Sequence, residues 1–161
     1  MFPEELKEHR VVEALTALDG VLLDGSVDRG EVTLNIAPDR IVAACALLKN
    51  EHKFVRLSSV TATDWYPMEP RFHLAYHLHS LDRNERIRLK CKVSGDAAEI
   101  DSVYPVWRSA DWYEREVFDL FGIRFRNHPN LTRILMPPDW KGHPLRKDFP
   151  VHGHKYSYSK D

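Results

Sequence analysis

Residues 71–93 read RFHLAYHLHSLDRNERIRLKCKV, two alternating runs joined by a polar turn. In the first run Phe72, Leu74, Tyr76 and Leu78 point one way, and Arg71, His73, His77 and His79 the other. In the second, Ile87, Leu89, Cys91 and Val93 alternate with Arg86, Arg88, Lys90 and Lys92. Successive strand side chains face opposite sides, so the pattern predicts an antiparallel hairpin with one apolar face. The three histidines share the polar face. With no acidic or thiolate ligand beside them they read as a polar row, not a zinc site.

That hairpin needs helices to cover it, and the flanking sequence supplies them. Residues 4–18 read as a helix with Val11, Val12, Leu15 and Leu18 on one side, ended by Gly20. Val21–Leu23 reads as a short strand and DGSVDRG as a loop, followed by a period-2 strand over Glu31–Ile36. Pro38 opens a helix over 39–49, whose stripe Ile41, Ala44, Cys45 and Leu48 makes Cys45 a core residue. Phe54–Trp65 is a third strand candidate. Downstream, Ala110–Phe121 reads as a helix with Ser109 as N-cap and Gly122 as a left-handed C-terminal residue. This order predicts an α+β fold. It is a two-layer domain over residues 1–122, a mixed, mostly antiparallel sheet with helices packed on one face, followed by an extended proline-rich C-terminal tail over 123–161.

The charge divides at the same point. Residues 1–122 carry a balance of −6 and residues 123–161 one of +5, inside a net charge of −1. Pro129, Pro137, Pro138, Pro144 and Pro150 interrupt the second segment, leaving little room for helix or central strand. A basic, extended segment suits binding to something acidic or lying along a partner's surface; its last ten residues read as solvated. No run of apolar residues approaches the ~18 a membrane span needs. The acidic N-terminus MFPEELKEHR has no signal-peptide character, which places the chain in the cytoplasm or on a cytoplasmic membrane face. Cys45 and Cys91 stand in different elements and suggest neither a disulfide nor a metal cluster.

Catalytic motifs are missing from the sequence. There is no G-x-G-x-x-G, Walker loop, C-x-x-C, G-x-S-x-G or H-E-x-x-H. Glu116 and Asp119 stand one helical turn apart, but Arg115 precedes Asp119 by four residues, so an intrahelical ion pair is the simpler expectation. The stretch 114–140, EREVFDLFGIRFRNHPNLTRILMPPDW, interleaves charged and large apolar residues throughout, as a segment does when both its sides touch protein.

Glu114-Arg115-Glu116, Asp119, Phe121-Gly122-Ile123, Phe125, His128-Pro129, Leu131, Arg133-Ile134-Leu135 and Asp139-Trp140 resemble a known signature. It is that of the complex I thirty-kilodalton subunits, the C-type subunits of bacterial NADH–quinone oxidoreductase. Trp107, Ala110, Trp112, Gly142, Pro144, Leu145, Arg146, Lys147 and Asp148-Phe149 extend the resemblance over about 103–150. Because the chain ends soon after, it resembles a stand-alone, short form of that family. The resemblance implies a non-redox structural subunit of the hydrophilic arm, peripheral to the cytoplasmic side of the inner membrane. Near the quinone site it would bind homologues of two other subunits of the complex. One is the D-type subunit, which is hydrogenase-large-subunit-like and helps form the quinone cavity; the other is the B-type subunit, with its terminal cluster. FMN, iron–sulfur clusters and quinone sites would lie in partner subunits, with none in this chain. The whole complex would transfer electrons from NADH to quinone, coupled to proton translocation.

On that resemblance, the expected partner-interface residues are Glu114, Arg115, Glu116, Asp119, Phe121, Phe125, His128, Arg133, Leu135, Trp140, Arg146 and Asp148. Arg133 is a candidate for a bidentate carboxylate contact, and the aromatic residues are candidate anchors. His128-Pro129 reads first as a turn-setting dipeptide and second as a buried polar contact or proton-sensitive site. Two other readings stay open: the equivalent subunit of a related membrane-bound hydrogenase or non-NADH dehydrogenase, and nucleic-acid binding through the tail with Trp140, Tyr156 and Tyr158.

Overall fold

The structure is a computed structural model, described here over residues 3–150. Its five-stranded sheet has the order β1 (Leu22–Asp28), β2 (Glu31–Ile36), β5 (Glu85–Val93), β4 (Phe72–Ser80), β3 (Arg56–Asp64). All neighbours are antiparallel except β2 and β5, so the sheet is mixed and mostly antiparallel. The hairpin read from residues 71–93 lies at its centre, with Leu74 opposite Cys91 and Tyr76 opposite Leu89.

The apolar alternates Phe72, Leu74, Tyr76, Leu78, Ile87, Leu89 and Cys91 are all buried, together with Leu34, Ile36, Val60 and Ala62. Helix α3 (Ile41–Asn50) adds Ile41, Ala44, Cys45 and Leu48 to the same core, as its stripe requires. Helix α4 (Ala110–Phe121) contributes Val117 and Phe121, whose ring meets Phe72 edge-on at 6.5 Å. The architecture is therefore α+β, with helices on one face of the sheet. Among the described residues no helix is long and apolar enough to cross a membrane.

Several local expectations are corrected. The N-terminal helix is two pieces, α1 (Glu4–Lys7) and α2 (Arg10–Ala17). The break falls where Glu85 of β5 pairs with Arg10 and stands 3.5 Å from His9. The loop DGSVDRG is largely strand. Arg29 and Gly30 both have positive φ (51° and 80°), the two-residue turn that matches strand twist, so β1 and β2 form a tight hairpin. Ser109 is helical and makes no capping bond. Gly122, by contrast, is left-handed at φ 75°, as expected of it.

Two further strands were not anticipated. β6 (Glu99–Asp101) and β7 (Arg124–Arg126) form a parallel pair, each only three residues long. Ile123 and Phe125 are buried in the core, so the folded body does not end at residue 122. Residues 127–150 continue as an extended strap lying back over α4.

Candidate partner interface

The strap is organised by the C-terminal end of α4. A helix leaves its last four carbonyls without partners in the helix, and here the chain's own later residues supply them. The carbonyl of Phe118 accepts from Gly122 N. The carbonyl of Asp119 accepts from Arg133 Nη1 at 3.2 Å and His143 Nδ1 at 2.9 Å. Leu145 N donates to the carbonyl of Leu120 at 3.0 Å, and Arg146 Nε to that of Phe121 at 2.6 Å. Basic groups at a helix C-terminus also complement its dipole.

Asp119 fixes the strap from the side. One carboxylate oxygen takes Arg133 Nη1 at 2.6 Å, and the other accepts the successive backbone N–H groups of Ile134, Leu135 and Met136 at 2.8–3.0 Å. Such a run of N–H groups makes an anion-binding concavity. Burial works against the charge, but the Met136 N–H, Arg133 and the other two N–H groups outweigh it and hold the carboxyl below its ordinary range. The intrahelical Arg115–Asp119 pair does not form. Arg115 instead donates to the carbonyls of Thr132 and Arg133.

A second clamp closes the far end. Arg71, which the alternation placed on the open face, is only 2 % exposed and meets Asp64 (2.8 Å), Asp96 (2.5 Å) and Asp148 (2.6 Å). Lys147 N donates to Asp64 Oδ2 at 2.9 Å, tying the strap to the ends of β3 and β4. For Asp64, burial raises the pKa, but Arg71 and the N–H groups of Lys147 and Tyr66 lower it further, to about 2. Trp140 and Phe149 stack with ring centroids 6.5 Å apart.

Glu114 is fully enclosed by its own chain. It accepts from Ser102 Oγ at 2.5 Å and Val103 N at 2.7 Å, and burial pushes its pKa up to about 7 despite both bonds. His128 stands 3.9 Å away with its side chain buried. Its Nε2 donates to the carbonyl of Asp111 while Nδ1 accepts from Asn130 N, so the dipeptide sets a turn and its ring is a buried polar contact within the chain.

The expected interface residues therefore divide. Glu114, Arg115, Asp119, His128, Arg133, Arg146 and Asp148 have polar partners inside the chain, while Phe121 and Phe125 are core residues. Arg133 does contact a carboxylate, but it is that of Asp119 rather than a partner's. Glu116, Leu135 and Trp140 face outward, with Leu135 57 % exposed. Trp112 and Leu145, absent from the expected interface set, are equally exposed and flank them in sequence and strap. A groove of about 270 Å³ between edge strand β3 and α4 has Tyr113, Glu116, Leu120 and Leu145 among its walls. Among the described residues no group of His, Cys, Asp and Glu is arranged to hold a metal ion.

Residues 34–155 match the family described as respiratory-chain NADH dehydrogenase, 30 Kd subunit. The C subunit of NADH-quinone oxidoreductase from Citrifermentans bemidjiense is 45 % identical over 143 residues, 89 % of each chain. That from Geobacter sulfurreducens is 47 % identical over 133 residues, 82 % of each chain. Among solved structures, the trypsin-resistant fragment (1-134) of Nqo5 aligns with a TM-score of 0.64 at 29 % identity, covering 76 % of this chain and 97 % of that one. A chain of the membrane-bound sulfane sulfur reductase, an archaeal respiratory membrane complex, aligns with a TM-score of 0.74 at 27 % identity, covering 88 % and 84 %. With a family model matching most of its length and relatives at 45–47 % identity, the chain belongs to the family of respiratory-chain NADH dehydrogenase 30 Kd subunits.

Proposed function

We propose that this chain is a non-redox subunit of the hydrophilic arm of a respiratory NADH–quinone oxidoreductase, where it holds the D-type and B-type subunits in register. Electron transfer from NADH through FMN and iron–sulfur clusters to quinone belongs to the partner subunits, as does proton translocation. The complex places this chain on the cytoplasmic side of the inner membrane, peripherally.

The supporting observation is a strap held by ion pairs and backbone hydrogen bonds that exposes large apolar side chains among polar ones. Two clamps built on the buried carboxylates of Asp119 and Asp64 hold its backbone, and Leu135, Trp140 and Leu145 remain exposed on it, as does Trp112 on α4. Large side chains presented on an ordered backbone lose little entropy on binding, which is how interface anchors work. Glu116 and the groove beside β3 add a polar contact and a recess for a partner's side chain.

The likeness to the sulfane sulfur reductase chain favours a second reading, the same scaffold in a membrane complex fed by another donor. Mild-detergent purification of the tagged chain from its host's membranes separates the two. D-type and B-type subunits recovered together with a flavin-bearing NADH module support the first reading. The same companions without that module support the second. Recovery of the chain alone, or with nucleic acid, overturns both.

A further inference from the structure

The centre of the sheet carries a charged row that the strap does not use. β5 is the middle strand, and its residues facing away from the core are Arg86, Arg88, Lys90 and Lys92. Lys90 stands opposite Ala75 and Lys92 opposite His73, while Thr33 and Asn35 of β2 flank the other side. Strand residues two apart are separated by about 6.8 Å, so the four cations span roughly 20 Å. Among the described residues only Arg88 has a carboxylate partner, Glu31 at 2.8 Å.

The field of this row is felt by the histidines beside it. His73 is pushed below its ordinary value by burial and then by Lys92 and Lys90, against a weaker backbone contact to Pro70. His77 is pushed down by burial, then by Arg88 and Lys90, against Glu31. Arg88 Nε donates to His77 Nε2 at 3.0 Å, so the ring is neutral and its Nδ1 proton points to Ser59 Oγ at 3.0 Å. At the Arg86 end a recess of about 440 Å³ lies among Ser58, His77, Asn84, Arg86 and Arg88. Cations aligned on one row repel one another in the isolated chain and are relieved by an opposite charge laid along them.

We infer that this open sheet face docks an acidic polypeptide segment of a partner protein, its Asp and Glu carboxylates running along the Arg86–Lys92 row. The surface is distinct from the strap, and the inference rests on the chain being part of a multisubunit assembly. Residues 151–161 carry two Lys and one Asp, the wrong sign for the occupant. A nucleic acid has the right sign, but the outward residues of β3, β4 and β5 are hydroxyls, an alanine, histidines and cations, and Trp65, just past β3, already packs on His73 at 5.2 Å, so no run of aromatic rings follows the row on which successive bases would stack.

Lysine acetylation and carbodiimide coupling test it on the assembly purified from membranes. Lys90 and Lys92 are expected to react at least ten-fold more slowly there than in the free chain, with exposed Lys53 as control, and to couple to Asp or Glu of another protein of the assembly. Equal reactivity in both samples, protection removed by nuclease, or protection without carboxylate coupling would each overturn the proposal. Companion proteins identified in the same sample judge the functional reading separately. On the free chain, replacing both Lys90 and Lys92 with Gln is expected to raise Tm by about 1–3 °C at low salt and by nothing at 1 M salt. An unchanged or lower Tm at low salt would also count against it.

Discussion

Asp119 and Arg133, fourteen residues apart, form a 2.6 Å ion pair inside the chain, with the Asp119 side chain wholly buried. Three consecutive backbone N–H groups after Arg133 complete the carboxylate's shell. Helix and strap are thus one unit. The charge that looks available for a partner is consumed in shaping the surface that a partner would meet.

Replacing Asp119 with Ala removes that shared acceptor and leaves Arg133 without a carboxylate and three N–H groups unpaired. A loss of about 3–5 kcal/mol is expected in urea unfolding, with new protease cleavage between residues 131 and 149. Native stability with an intact strap would show that apolar packing alone holds it.

The Arg71 clamp ranks its carboxylates by burial. Asp64 is fully buried, Asp148 is 39 % and Asp96 83 % exposed. Asp64→Asn should therefore cost the most, about 3–5 kcal/mol. Asp148→Asn should cost about 1–3 kcal/mol and Asp96→Asn less than about 1 kcal/mol. Thermal melts of the three variants give the order directly, and an Asp96 effect as large as that of Asp64 would contradict it.

Gly122 has two reasons to be glycine. Its φ is +75°, and an added Cβ would lie 2.5 Å from His143 Cδ2 and 2.8 Å from Arg146 Nη2. Gly122→Ala is expected to cost about 1–2 kcal/mol from backbone strain and to displace both residues from the end of α4. The sign is a lower Tm together with faster hydrogen exchange at Leu145 N; a wild-type exchange rate there would show that the strap accommodates the methyl group.

Stability should respond to pH in two opposite ways. Asp64, Asp119 and Asp148 have depressed folded pKa values, so what they contribute is present above the ordinary carboxylate value, ~3.9. It is lost as pH falls toward about 2, the folded value of Asp64. Glu114 is raised from 4.5 to about 7, so the folded state binds the extra proton and what Glu114 contributes is lost as pH rises through that window, while the depressed histidines His52, His73, His77, His128 and His143 act in the opposite sense. Glu114→Gln should make the slope of stability against pH more positive between about pH 4.5 and 7, measured by denaturant melts at each pH. A slope unchanged by the substitution would contradict the assignment.

The sheet was legible because its hairpin is regular. Residues 71–93 alternate without a break, and a buried face with period two fixes both pairing and register. The helices on either side were legible from their stripes, and Gly122 from its place at the end of one. The β1–β2 hairpin was missed because its turn is Arg29-Gly30, where the common sequence signal is Asn-Gly or Asp-Gly. β6 and β7 are three residues long, too short for periodicity to register.

The interface was harder to read because charge in a sequence does not carry its partner's address. Glu114 and Asp119 were read as partner-interface residues and Arg133 as a candidate for a carboxylate contact, and all three find polar partners inside the chain. Asp119 and Arg133 pair with each other, while Glu114 is satisfied by Ser102 Oγ and Val103 N. Arg71 looked like one more outward residue of an alternating strand, since nothing local reveals that Asp148, 77 residues later, returns to it. Trp112 and Leu145 were visible in the signature but gave no sign of their exposure.

The most direct test replaces Leu135 and Trp140 with Asp, singly and together, and repeats the mild-detergent purification from membranes. Both side chains are exposed on the clamped strap, so the free Leu135 variant should melt within about 1 kcal/mol of the native chain, and the variants that lose the Trp140–Phe149 stack within about 2 kcal/mol. Their recovery of the D-type and B-type subunits should fall at least ten-fold. Full recovery of both companions with the doubly substituted chain would contradict the strap's role as the partner-facing surface.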